Sequence, residues 1–268
     1  MSAEYQTEAW SNCAAHRAVV TNHLVQITKG RKKPLSLCVL GAGPCNDLDL
    51  DQLLEAYHHI TLVDFNDQVL QDAIQKRGLA DSPKLTLRTK LDLSGTHSEI
   101  VSQLNREDGE AFKQFLGQAL NWRPDLQGPF DVVASTCLLS QFFEPLIQVL
   151  ESHTDRLMHL LRAVRQRHLE LLCELLDVGG NALLITDVTS SESLTALQEP
   201  NPNLSQLLTE HVLTGEHFHG LNPRAIEQEI EKNSLIQEKI HRHLVSEPWV
   251  WDATARKYLC LAFLLRGN

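Results

Sequence analysis

The sequence predicts an α/β fold: a seven-stranded, mostly parallel sheet with helices on both faces, closed by a C-terminal antiparallel hairpin. Three observations predict it. Apolar runs with strand character recur at Leu35–Leu40, Ile60–Val63, Leu85–Arg88, Phe130–Ser135 and Ala182–Thr186, and the stretches between them have helical spacing. The run Leu37-Cys-Val-Leu-Gly-Ala-Gly-Pro-Cys-Asn-Asp47 carries the first strand into a glycine turn, and His59-Ile-Thr-Leu-Val-Asp-Phe65 ends the second in a carboxylate. Leu244–Trp251 and Tyr258–Leu265 are joined only by Asp252-Ala-Thr-Ala-Arg-Lys257, too short for a crossover helix, so these two strands are antiparallel.

The elements follow in order. Thr7–Ile27 carries apolar residues at helical spacing, with Ala14, Ala18, Val19 and Leu24 on one side. Residues 1–34 therefore read as a helical cap, placed to cover a cofactor cleft. Residues 35–268 read as one domain, with crossover helices at Asp47–Ala56, Gln68–Lys76, Ser98–Leu120 (interrupted near Gly109) and Thr154–Leu176. Gly179-Gly180 reads as the C-cap of the last. From 189 to 245 the composition shifts toward Ser, Asn, Pro and Glu, which reads as an insertion over the active face, too poor in apolar residues for its own core. Within it Asn222-Pro223 predicts a helix start, asparagine as cap and proline in the first turn.

Composition bounds the function. A chain of 268 residues with 43% hydrophobic content buries a full core, and a formal charge of -10 repels phosphate backbones, which speaks against nucleic acid as a partner. The short basic run Arg31-Lys32-Lys33 reads as a solvated loop. The six cysteines, Cys13, Cys38, Cys45, Cys137, Cys173 and Cys260, have no CxxC spacing and read as reduced, packed thiols. The first residues lack the basic start and apolar core of a signal peptide, and no segment is apolar enough to span a membrane. A cytoplasmic location is expected.

The glycine turn and Asp64 are the chemistry-bearing pair. Two glycines separated by one residue let the backbone approach a ligand closely, and Asp64 falls where a ribose hydroxyl needs an acceptor. The dinucleotide fingerprint fails, because Asn46 stands where its third glycine belongs. Asp47, Asp49, Asp51, Asp64 and Asp67 crowd this end of the sheet and disfavour a pyrophosphate, while S-adenosylmethionine, a sulfonium and an ammonium against one carboxylate, suits it. Asp49 and Asp51 read as helix caps facing water.

In order, Val39-Leu-Gly-Ala-Gly43, Leu62-Val-Asp64, Leu91-Asp-Leu93, Phe130-Asp-Val-Val-Ala-Ser135, Gly179-Gly-Asn-Ala-Leu-Leu-Ile185 and the final hairpin resemble the class I S-adenosylmethionine-dependent methyltransferases, whose fold is Rossmann-like. The resemblance covers about Leu35 to Arg266 apart from the insertion. It implies S-adenosylmethionine as cofactor, with Gly41, Ala42 and Gly43 receiving the methionine moiety, Asp64 the ribose and Phe65 the adenine. Asp92 would accept from the adenine amino group with Leu93 alongside, and Ser135 and Thr136 would border the sulfonium. Two positions depart: Val39 stands where many members carry an acid, and Cys45 replaces the third glycine of the turn, leaving Asn46 or Asp47 to supply the missing polar contact.

The expected activity is in-line methyl transfer to a small molecule or a protein side chain. Ser135-Thr-Cys-Leu-Leu-Ser-Gln141 lacks the Asn/Asp-Pro-Pro-Tyr/Phe motif of enzymes that methylate base amino groups. Gln141, His217 and His219 are the candidates for acceptor-side catalysis, and no metal-ligand spacing accompanies His217-Phe-His219 or His241-Arg-His243. Trp249 and Trp251 share a strand face and should pack on a helix, whereas Arg162, Arg165, Arg167 and His168 read as a solvated helix face. The rival readings are a non-catalytic module that binds S-adenosylmethionine or S-adenosylhomocysteine and, behind it, an NAD(P)-dependent oxidoreductase.

Overall fold

The computed structural model describes residues 9–96, 109–150, 154–253 and 255–268. Its strands are β1 (Ser36–Leu40), β2 (His59–Val63), β3 (Leu85–Arg88), β4 (Phe130–Thr136), β5 (Leu176–Ser190), β6 (Ile240–Val245), β7 (Trp249–Asp252) and β8 (Lys257–Gly267). They form one sheet in the order β3-β2-β1-β4-β5-β8-β6, with β7 also on β8. The pairs from β3 to β5 are parallel, and β8 runs antiparallel to β5, β6 and β7. β6 faces the last residues of β8 and β7 its first ones, so the two are one interrupted strand and the sheet has seven positions.

Helices cover both faces because each strand presents apolar residues alternately to either side. On β5, Leu183 and Ile185 join the core beneath α1 (Ala14–Thr28), α2 (Leu50–Ala56) and α3 (Asp67–Lys76). Ala182 and Leu184 join the core beneath α4 (Gly109–Asn121), α5 (Leu139–Leu150), α6 (Thr154–Glu174), α7 (Pro223–Lys232) and α8 (Ser234–Lys239). Asn222 caps α7 through the Arg224 N–H with Pro223 in the first turn, as the sequence predicts. In the segment 189–245, Leu194, Leu197, Val212, Leu221, Ile226, Ile230 and Ile236 are buried in this second core.

Four expectations need correction. α6 ends at Glu174, and Gly179-Gly180 lies inside β5 rather than capping a helix, because Leu176 already pairs with Phe130 and the chain bulges before Asn181 meets Val132. α2 begins at Leu50, not at Asp47: Asp49 caps it by accepting from the Gln52 N–H, which leaves Asp47 in the preceding loop. α5 went unread in the sequence, where Pro145 interrupts the helical pattern of Leu139–Leu150. Of the four residues expected on a solvated face of α6, Arg165, Arg167 and His168 are buried and Arg162 alone is exposed, since this part of the helix lies between the sheet and α7. There Arg165 donates to Gly220 O at 2.6 Å, and Arg167 pairs with Glu170 at 3.3 Å and with Glu174. The early part of the helix expected over Ser98–Leu120 lies outside the described residues as far as 108.

Candidate functional site

β1 is flanked by β2 on one side and β4 on the other, so the chain reverses its winding at the carboxyl ends of β1 and β4, where open α/β sheets bind ligands. The loops that follow these two strands meet there. Gly41 has φ +72°, and a Cβ on it would lie 2.6 Å from the Leu138 side chain beyond β4. Gly41 and Ala42 donate to Val63 O at 2.9 and 3.0 Å, and Gly43 donates to Asp64 Oδ2 at 2.7 Å. The Asn66 N–H donates to the other Asp64 oxygen, also at 2.7 Å. The glycine turn and the strand-end carboxylate thus face each other directly.

Cys45 resolves one departure from the pattern. It takes φ +53°, the left-handed backbone that glycine adopts without cost, and its side chain is fully buried in the core. The turn keeps a glycine-like path while the thiol, pushed up to about 12 by burial, packs as a hydrophobe. Val39, the other departure, is a buried residue of β1 between Leu62 and Ala134.

Two arginines grip the turn from outside. Arg17 donates to Asn46 O at 2.8 Å and to Trp10 O at 2.9 Å, and Arg77 donates to Pro44 O at 3.2 Å and Cys45 O at 3.0 Å. Both guanidinium groups stack on the Trp10 ring, at 3.4 and 4.2 Å. The partly buried Asp47 carboxyl lies beside the Thr136 hydroxyl and is held above its usual range by desolvation, against which Thr136, Arg77 and Arg17 act.

The remaining sequence-predicted residues divide. Phe65 is 53% exposed, and Leu93 is buried. Asp92 Oδ1 accepts from Ser94 N, Ser94 Oγ and Gly95 N at 2.7 to 3.2 Å, closing its own loop. Ser135 points away from the turn: its hydroxyl is 2.8 Å from Nε2 of buried His168, which burial and then Arg167 push down to about 3 and keep neutral. Thr136 alone of that pair stands beside Asp47.

Two of the three acceptor-side candidates are occupied. Gln141 donates back to Cys137 O at 3.0 Å across the first turn of α5. His217 Nδ1 is 3.0 Å from Phe218 O and its Nε2 is 3.1 Å from Asn222 Nδ2, so neither nitrogen is left to act as a base. His219 is exposed. Among the described residues, no group of three or more His, Cys, Asp or Glu side chains is arranged to hold a metal ion, and no helix is long and apolar enough to cross a membrane.

Sequence reasoning missed a second carboxylate. Asp187, 4% exposed, lies at the carboxyl end of β5 where a bulge interrupts pairing with β8, and it accepts from Ser140 Oγ at 2.8 Å. Burial raises it to about 6, against the Ser140 bond and its own backbone N–H. The signal was present: Leu-Ile-Thr-Asp187 places an acid after an apolar run as Thr-Leu-Val-Asp64 does. Around it stand Cys137, Cys260 and Tyr258. The Trp251 ring lies 5.0 Å from Tyr258 and stacks on His16 of α1 at 4.7 Å. Trp249 Nε1 donates to His16 Nδ1 at 3.0 Å, so both tryptophans pack on a helix as expected.

A cavity of about 300 Å³ also opens at the opposite, amino edge of the sheet, between Arg31, Lys32, Lys33, Asp131 and Val178. It carries no nucleoside-binding geometry, and its Lys33 is paired with Asp131 at 2.7 Å.

No family model matches the sequence, nor does any curated relative. Solved structures do resemble it. The YcgJ protein from Bacillus subtilis is 9% identical at a TM-score of 0.50, with 94% of this chain and 99% of that one covered. Magnesium protoporphyrin IX methyltransferase from Synechocystis PCC 6803, solved with bound SAH, is 14% identical at 0.48 over 94% and 83% of the two chains. The plantazolicin methyltransferase BpumL, in complex with SAH, is 11% identical at 0.48 over 99% and 90%. With its switch point between β1 and β4 and its reversed eighth strand, the chain has the fold of the class I S-adenosylmethionine-dependent methyltransferases.

Proposed function

We propose that this chain binds S-adenosylmethionine at the carboxyl ends of β1, β2 and β4 and transfers its methyl group to a small molecule or a protein side chain. One observation carries the reading: the left-handed turn at Gly41–Gly43 faces the Asp64 carboxylate across 2.7 Å, in a sheet whose order puts both at the switch point. A Cβ on Gly43 would meet nothing within 4 Å, so the turn leaves open space on the side where a ligand backbone approaches. The donor set fits the cofactor.

The cofactor, when bound, supplies a methyl group already activated on a positively charged sulfur. Asp64 then accepts from the ribose hydroxyls, with Gly41 to Gly43 along the methionine moiety. Phe65 and Leu93 offer apolar surface to the adenine, and for its amino group Asp92 has only the oxygen its own turn does not use. Asp47 places negative charge beside Thr136, where the sulfonium is expected, and Asn46 holds the turn through its carbonyl. No strong base is required for such a leaving group; orientation and exclusion of water do most of the work.

Calorimetry tests this. S-adenosylmethionine and S-adenosylhomocysteine should bind at micromolar concentration, NAD should not, and Asp64→Ala should weaken both by about 100-fold or more, the worth of two charge-assisted hydrogen bonds. Tight NAD binding without a response to S-adenosylhomocysteine would sink the proposal. Methyl transfer to any acceptor separates an enzyme from a binding module.

A further inference from the structure

Resting on the methyl-transfer reading, we infer that the acceptor is an amine, held by the Asp187 carboxylate and the rings of Trp251 and Tyr258.

Asp187 is a buried carboxylate without a cation. It has the Ser140 hydroxyl on one oxygen, and among the described residues it makes no ion pair. Asp47, by comparison, has Arg17 and Arg77 nearby. A buried carboxylate is stabilised by a positive partner, and here Tyr258 lies near it with the Trp251 ring 5.0 Å from Tyr258, and aromatic rings attract cations through their ring electrons. A second observation points to a ligand independently. Thr136 Oγ1, His16 Nε2 and Trp251 Nε1 are buried and have no hydrogen-bond partner. The Asp47 carboxyl lies beside Thr136 and the Cys13 thiol beside Trp251, each short of a well-formed hydrogen bond.

These orphans are linked through shared neighbours. Thr136 adjoins Asp47 and Cys137, Cys137 adjoins Asp187, and Trp251 bridges Tyr258 and His16. Buried polar groups are rarely left unsatisfied, so three in one cluster mark a place where something else binds.

The chemistry balances. An ammonium acceptor gives one proton to the Asp187 carboxylate, and the lone pair so freed forms the new nitrogen–carbon bond. The sulfur–carbon bond breaks with its electron pair returning to sulfur. S-adenosylhomocysteine leaves as a neutral thioether, the methylated ammonium leaves with its charge, and Asp187 returns its proton to solvent. Thr136, between Asp47 and this cluster, borders both halves.

The test uses the full chain saturated with S-adenosylhomocysteine and three probes of like shape: benzylamine, benzyl alcohol and benzoate, at millimolar concentration by saturation-transfer NMR. Benzylamine is expected to bind at least about tenfold more tightly than the other two. Asp187→Asn should abolish that preference while leaving S-adenosylhomocysteine affinity unchanged, and Trp251→Leu should weaken benzylamine alone. A lysine-containing peptide run beside benzylamine distinguishes a protein side chain from a free amine. Equal binding of the three probes, binding of none, or a preference that survives Asp187→Asn overturns it. Failure of S-adenosylhomocysteine itself to bind overturns the methyl-transfer reading instead.

Discussion

The two halves of the carboxyl edge are built differently. Around β1 and β2 every critical polar group is satisfied within the chain: Gly43 N and Asn66 N on Asp64, and the carbonyls of Pro44, Cys45 and Asn46 on two arginines. Around β4, β5 and β7 the opposite holds, with Thr136, His16 and Trp251 left short of partners and Asp187 short of a counter-charge. A preorganised half receives an invariant ligand at little reorganisation cost, while an unsatisfied half awaits the molecule that completes it. This is the division expected of a site with one fixed cofactor and one selected acceptor.

The sharpest way to break the comparison is at its rigid half. Gly41→Ala meets both a left-handed backbone at φ +72° and the Leu138 side chain at 2.6 Å, and should cost about 2 to 4 kcal/mol in chemical unfolding. Leu138→Ala in the same chain should recover part of that loss. Gly43→Ala, at φ +49° with nothing within 4 Å, should cost only about 1 kcal/mol yet weaken S-adenosylhomocysteine binding more than it weakens the fold. Equal stability losses at the two glycines would mean that the turn is not held against Leu138.

At the unsatisfied half the measurable quantity is a pH dependence. The folded state holds the Asp187 proton up to about pH 6, and the ordinary value is 3.8, so between these the folded chain binds more protons than the unfolded one. Stability from this group is therefore lost as pH rises through that window, by about 3 kcal/mol at most. Taking the difference between wild type and Asp187→Asn in unfolding at either end of the window cancels groups of opposite sign, such as Asp131, whose bonds to Lys33 and Ser36 outweigh its burial and hold it below its usual range. The difference should fall toward neutral pH. A flat difference would place Asp187 in water.

The same division governs what the sequence made legible. The five parallel strands, the terminal hairpin and the pairing of Gly41–Gly43 with Asp64 were readable because each is a local pattern, an apolar run with a glycine or an acid at its end. The proposed acceptor half draws on residues 16, 136, 187 and 251, which lie far apart in sequence, and no local pattern encodes their combination. α6 misled for a related reason. Arg165, Arg167 and His168 resemble a solvated face at helical spacing, but α6 is covered on both sides: Arg165 bonds to the Gly220 carbonyl, Arg167 pairs with Glu170 and Glu174, and the neutral His168 meets Ser135. Ser135 was legible as a strand end and not as a residue whose side chain faces the far layer.

The smallest effect is expected at the arginine clamp. Arg17→Ala removes two hydrogen bonds to carbonyls and the stack on Trp10, all at a half-buried site, and should cost about 1 kcal/mol of stability. Arg77 still holds Pro44 O and Cys45 O, so the left-handed Cys45 keeps its place and S-adenosylhomocysteine affinity should fall only about fivefold. Removing both arginines should cost more than the sum of the single changes, because either one alone fixes the same few peptide groups, and Asp47 then loses both nearby cations at once. Strict additivity in the double variant, read by calorimetry and by unfolding, would mean that the clamp decorates the turn rather than preorganising it.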